Sequence, residues 1–241
     1  VKAALVFAPA LLGGMYWKGA SRAGAQPMQT VAPSNLSSAA RWQRMWARLG
    51  VTEPDACVLD QLVARYSESH RKYHTTRHLD ECFVKFEELR ADAKRPEEVE
   101  FALWFHDAIY DTKRHDNEAK SAEWARATAA AVNLPGDVAE RIRKLILATR
   151  HDAVPQDNDE KILVDVDLSI LGEKPQRFDE YENQIREEYA WVPSAVFRAK
   201  RRHILRGFLA RPSIFNTREF VETYEGQARA NLERSIKKLR G

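Results

Sequence analysis

A chain of 241 residues, 44% hydrophobic and 30% charged, can bury a sizeable core, which excludes the disordered classes. Its 38 Lys and Arg against 35 Asp and Glu leave a formal charge of +3, too small to imply a nucleic-acid surface, and no basic run is interleaved with aromatics as a strand binder needs. No stretch reaches the roughly 20 apolar residues of a membrane span, so neither a nucleic-acid polymer nor a membrane is an expected partner.

Residues 1–37 are expected to be a flexible extension. A lysine, a short apolar run and an Ala-Gly-Ala give it some character of a secretory signal, but Pro9, Gly13 and Gly14 interrupt the run, so an extension from an upstream start site is the preferred reading. Trp42, Met45, Trp46 and Leu49 then share one helical face, and Gly50 stops that helix. Pro54 suits the first turn of a second helix that carries Cys57, Val58, Leu62 and Tyr66. A third is expected over His78–Leu89. Pro96 opens the next, which carries "FALWFHDAIYD", an apolar run entering His106-Asp107 with Asp111 a helical turn beyond. Asp116 or Asn117 can cap a helix through Ala131, "NLPGD" is a turn, and Val138, Ile142, Leu145 and Ile146 form a helical stripe.

"ATRHDAVPQDND" reads as a polar loop. "KILVDVDLSILG" is apolar enough for a buried strand, but no second strand exists to pair with it, so it reads as a buried helix ended by Gly172. Pro175 and Pro193 begin two further helices, and a long last one starts near Arg218, with Phe220, Tyr224, Ala228, Leu232 and Ile236 spaced by four. The expected fold is an all-α, single-domain helical bundle over residues 38–241. Cys57 and Cys82 are far apart and lack a CxxC context, which argues against a disulfide framework or a thiolate zinc site. Both are expected in the core, and a reducing, cytoplasmic location fits.

Seven histidines occur, and five of them (His74, His78, His106, His115 and His151) lie in segments rich in Asp and Glu. Imidazole and carboxylate together suit Mn, Fe, Co, Ni or Zn. His74 and His78, four apart, share a helical face. His106 and Asp107 project about 100° apart on a helix, yet a long imidazole and a short carboxylate can converge on one ion at its end. Asp165 and Asp167 flank a valine, and only one of them can point the same way. His70, His115 and His203 read as capping or core residues.

His78, His106-Asp107 and a late Asp in "LVDVDLSILG" together resemble the HD superfamily of metal-dependent phosphohydrolases. A narrower resemblance runs through "YHTTRHL", "WFHDAIYD", "DNEAKSA", "LATRHD", "DVDLSILG", "IREEYAWV" and "ARANLERS". In that order they are similar to a small bacterial group of predicted HD phosphohydrolases. Where that group often carries two histidines in the "TRHD" loop, this chain has one, His151.

The resemblance implies metal ligation by His78, His106, Asp107 and Asp167, with Asp165 as the alternative fourth ligand. A turn beyond Asp107, Asp111 is a candidate to orient the attacking water or act as base, with Glu118 competing for the role. Arg77, Arg150, Lys161 and Arg186 become candidates for binding phosphate, and His74, His151 and Tyr189 for lining the cleft. The implied activity is hydrolysis of a small phosphate ester, first of all a nucleotide, by metal-activated water, with a divalent Mn, Co, Ni, Fe or Zn ion as cofactor. The rivals are an HD-type di-iron oxygenase, which would recruit His74, His151 and Asp111, and a metal-stabilised nucleotide-binding module without turnover.

Overall fold

The computed structural model describes residues 34–240; the expectations for residues 1–33 lie outside them. Ten α-helices follow one another, and no strand occurs among the described residues. They are α1 (Ser34–Arg48), α2 (Ala56–Tyr66), α3 (Thr76–Leu89), α4 (Pro96–Phe105), α5 (Asn117–Ala131), α6 (Gly136–Ala148), α7 (Asn158–Leu168), α8 (Pro175–Glu188), α9 (Ser194–Leu209) and α10 (Arg218–Lys238). The fold is all-α, as the sequence pattern requires. No described helix is long and apolar enough to cross a membrane.

Local chemistry explains most of the boundaries. α1 begins at Ser34, inside the stretch expected to be extension, and ends where Gly50 adopts φ of 80°, a left-handed conformation that costs glycine little. Pro54 stands ahead of α2 rather than in it, because the Asp55 carboxylate takes the N–H of Cys57 and sets the start one residue later. Cys57 is therefore exposed, contrary to expectation, whereas Cys82 is buried. α7 starts inside the expected polar loop, since Asp157 and Glu160 form a capping box there. It gives way to a 3-10 turn at Ser169–Gly172. A Cβ on Gly172 would lie 2.6 Å from Cβ of Tyr224, so only glycine lets α10 approach this turn so closely.

Two helices organise the interior. α4 is buried all round from Glu98 to Phe105 and packs against α1, α3, α5, α6 and α7. Trp42, Trp46, Phe101, Trp104 and Phe105 form an aromatic cluster, with Trp42 and Trp104 edge to face at 5.2 Å. The buried acid Glu98 is matched by the Arg141 guanidinium, which donates to both of its oxygens at 2.8 and 2.7 Å. α7 is buried from Ile162 to Leu168 and packs against α3, α4 and α6. The ends of α4 and α7 and the start of α3 meet inside the protein, and each delivers a histidine or an aspartate to that place.

Candidate metal centre

α4 ends at Phe105, and His106 caps it: the backbone N–H of His106 reaches Ala102 O at 2.9 Å, and its Nδ1–H donates to Leu103 O at 2.7 Å. A carbonyl only accepts, so this bond fixes the tautomer and leaves the Nε2 lone pair pointing inward. His78 stands in the first turn of α3. Asp167 is the penultimate residue of α7. His78, His106, Asp107 and Asp167 are at most 2% exposed, and one donor atom from each lies within 4.8 Å of all the others.

The separations are specific. His78 Nε2 is 3.2 Å from His106 Nε2, 3.5 Å from Asp107 Oδ2 and 3.4 Å from Asp167 Oδ1. His106 Nε2 is 3.4 Å from Asp107 Oδ2 and 3.6 Å from Asp167 Oδ1. Tetrahedral ligands at about 2.0–2.2 Å from a divalent ion lie about 3.3–3.6 Å apart. The donor set thus fits a transition metal in size as well as in chemistry. Burial holds His78 at a pKa of about 4, against the pull of Asp167, so the ring is neutral and its lone pair is available. Burial alone would raise Asp167, yet the group is held well below the ordinary carboxylate range, with the Nε2–H of His151 donating to its Oδ2. Two buried carboxyl groups and two imidazoles converging on one point are a donor set suited to a divalent cation.

The surrounding side chains lock this arrangement. His151 adopts φ of 57°, a strained conformation for a residue with a side chain, and its Nε2–H donates to Asp167 Oδ2 at 2.9 Å. Expected at the substrate, it instead stands behind Asp167 and orients it. Arg71 is buried, and its guanidinium donates to the carbonyls of Asp107, Ala108 and His74 at 2.7, 3.0 and 3.2 Å. It thereby ties the His-Asp turn to the segment before α3.

That segment is also held by Glu188, which the sequence reading passed over. Its Oε1 accepts the backbone N–H groups of Lys72, Tyr73 and His74 at 2.8, 2.8 and 3.0 Å. Its Oε2 accepts His74 Nδ1–H at 2.7 Å and the Tyr110 hydroxyl at 2.8 Å. His74 is stacked on Tyr110 at 4.0 Å and turns its Nε2, which makes no hydrogen bond, towards Asp107 Oδ2 at 4.0 Å. Burial lowers its pKa to about 3 despite Glu188. A signal for Glu188 existed: Phe178, Tyr181, Ile185 and Glu188 share one helical face, and all four are buried.

Asp165 goes elsewhere. Two positions apart on a helix is about 200°, so when Asp167 faces the cluster Asp165 faces away. Its carboxylate takes the N–H and side-chain amide of Asn216 and the N–H and hydroxyl of Thr217, between 2.6 and 2.9 Å, and so anchors the start of α10. Asp165→Ala should remove about 3 kcal/mol of stability, lowering the melting temperature by about 6–12 °C, with metal content unchanged. Calorimetry with elemental analysis checks this, and metal loss from a folded Asp165→Ala protein would contradict the assignment.

Other expected positions also change. Because α4 stops at Phe105, Asp111 is not a helical turn beyond Asp107; it is exposed in the following loop, where its Oδ1 accepts the Lys113 N–H at 2.9 Å. Glu118 lies half-buried in the first turn of α5 and is not among the converging atoms. The Arg186 guanidinium donates to Tyr189 O, Val192 O and Ser194 Oγ and lies over Phe197, so it staples the turn between α8 and α9. Tyr189 is buried beside Phe197, and burial pushes its hydroxyl up to about 12. Arg150 is exposed, and Lys161 lines a separate hollow with Asn216 and Arg218.

Arg77 pairs with Glu81 and Glu180 on the rim of a cavity of about 480 Å³ that reaches His78, Tyr73 and Arg177. A second groove of about 540 Å³ runs past Asp111, Lys113 and Trp191 to Tyr110 and Glu188. The chain matches no family model, no curated protein and no solved structure.

Proposed function

We propose that this chain is a metal-dependent phosphohydrolase of the HD type, acting on a small phosphate ester with a nucleotide as the first substrate class to try. The observation that carries the reading is the convergence of His78, His106, Asp107 and Asp167 from the ends of three helices, with the imidazole nitrogens 3.2 to 3.6 Å from each other and from the carboxylate oxygens and all four donor atoms within 4.8 Å. Mn, Fe, Co, Ni or Zn suits two imidazoles and two carboxylates. When bound, such an ion supplies Lewis acidity for a phosphoryl oxygen and an acidified water.

The chain's own residues do the positioning. His106 presents a fixed lone pair, and His151 holds the Asp167 carboxylate in register. Glu188 holds the proton on Nδ1 of His74 and so leaves Nε2 as an acceptor facing the centre. Phosphoryl transfer needs such positioning and charge neutralisation more than covalent help. The di-iron reading has less support, since of its three extra ligands His151 is committed to Asp167 and Asp111 to the Lys113 turn.

The test is elemental analysis of untagged protein, followed by phosphate-release assays on nucleotides with added Mn, Co, Ni and Mg. About one ion per chain with metal-dependent release is expected. Two irons without release would favour the oxygenase. Nucleotide binding without turnover would favour the binding module, and no retained metal would remove the basis of the reading.

A further inference from the structure

The chain has no Asp or Glu from residue 189 through residue 218, yet α9 lies wholly inside that stretch. Phe197, Arg201, Leu205 and Phe208 form its buried face. Arg198, Arg202 and Arg206 follow one another at intervals of four along another side, rising about 6 Å per step. Arg198 and Arg206 are exposed and Arg202 is half-buried.

Elsewhere many surface arginines sit next to acids three or four residues away, as in Arg65–Glu68, Arg126–Glu123, Arg143–Glu140 and Arg218–Glu222. On α9 the buried Arg201 pairs with Glu182, while Arg198 and Arg206 pair with no carboxylate among the described residues. Residues 1–33 contain no acid that could neutralise them. The Arg202 guanidinium donates to Leu239 O at 3.3 Å, which sets the end of α10, where Lys237 and Arg240 are exposed, against α9. The nearby Asp179 is taken by Arg234 and Lys238. A whole-chain charge of +3 hides this concentration, and distribution rather than net charge decides what a surface attracts.

We propose that the α9 ridge docks the phosphodiester backbone of a nucleic acid. Guanidinium forks match phosphate oxygens, and an uncompensated row of them is a ready phosphate track. The exposed residues interspersed with them include Ala195, Ala199, Gly207 and Ala210, so a strand can lie close to the helix. An anionic membrane is the poorer fit, because interfacial helices bury large apolar side chains and α9 exposes only Val196 among its large hydrophobics. Contacts of this kind position a strand without reading its bases.

Anisotropy of fluorescein-labelled DNA and RNA oligonucleotides, titrated with the full chain at several salt concentrations, tests this. Binding should weaken with salt at a log–log slope of about −3, for three phosphates neutralised at about −0.9 each on duplex. Arg198→Glu with Arg206→Glu should lower affinity at least about tenfold and flatten the slope by about 2, with helicity and metal content unchanged. The proposal is overturned if the double variant binds like wild type or if wild type binds no oligonucleotide at low salt. It is equally overturned if vesicles rich in anionic lipid are bound and oligonucleotides are not. None of these outcomes depends on the metal centre, which the variants do not touch.

Discussion

Replacing Asp167 with asparagine is expected to empty the centre while leaving the helices intact. The substitution keeps the shape of the side chain and removes the charge that sits 3.4 and 3.6 Å from the two imidazole nitrogens. Loss of an orienting partner already costs about 10–100-fold in metal affinity, so loss of the ligand itself should exceed about 100-fold. His151→Ala, which removes only the partner of Asp167, should fall within the smaller range. Stability gives a second readout. An ion present at about a thousand times its dissociation constant adds about 4 kcal/mol to the folded state. A chelator should therefore lower the wild-type melting temperature by about 8–16 °C and leave Asp167→Asn almost unmoved. Retention of the ion by Asp167→Asn with wild-type affinity would refute the centre.

The helices were legible because period and punctuation agree. Gly50, Pro96, Pro175 and Pro193 each mark a boundary to within a residue or two, and the stripes on α6 and α10 follow the apolar spacing. Where an apolar run has no period, punctuation alone had to decide: α4 is buried all round, and nothing in "FALWFHDAIYD" says that the helix stops at Phe105. Assuming that it continued placed Asp111 on the same face as Asp107. Periodicity alone could not choose between Asp165 and Asp167, for a related reason, and only the family resemblance favoured Asp167. Both lie on a fully buried helix, and which side faces the cluster depends on where α10 begins. The arginines mislead in another way, because Arg186 and Arg77 are shaped for phosphate but are bound to carbonyls and carboxylates of their own fold.

Glu188 is where a single neutral replacement should do the most damage outside the ligands. Its carboxylate gathers three backbone N–H groups, the Nδ1–H of His74 and the hydroxyl of Tyr110. In Glu188→Gln one oxygen becomes an amide that can only donate. Either the three N–H groups ahead of α3 or the His74–Tyr110 pair then loses its acceptor inside the protein. Breaking a buried charged cluster from one side costs about 3–5 kcal/mol, or a melting temperature lower by about 6–20 °C. The pH dependence is distinctive. Burial would raise the pKa of Glu188, but His74 and the backbone donors outweigh it and hold the group well below its ordinary 4.5. A carboxylate depressed in the folded state contributes its full stability above that ordinary value and loses it progressively as the pH falls below it. Wild type should therefore lose stability steeply below about pH 4.5, and Glu188→Gln should be less stable at neutral pH but flatter in acid. Chemical denaturation from pH 3 to 7 measures both. If the two proteins run parallel over that range, Glu188 is not the ionised anchor of the segment that carries His74.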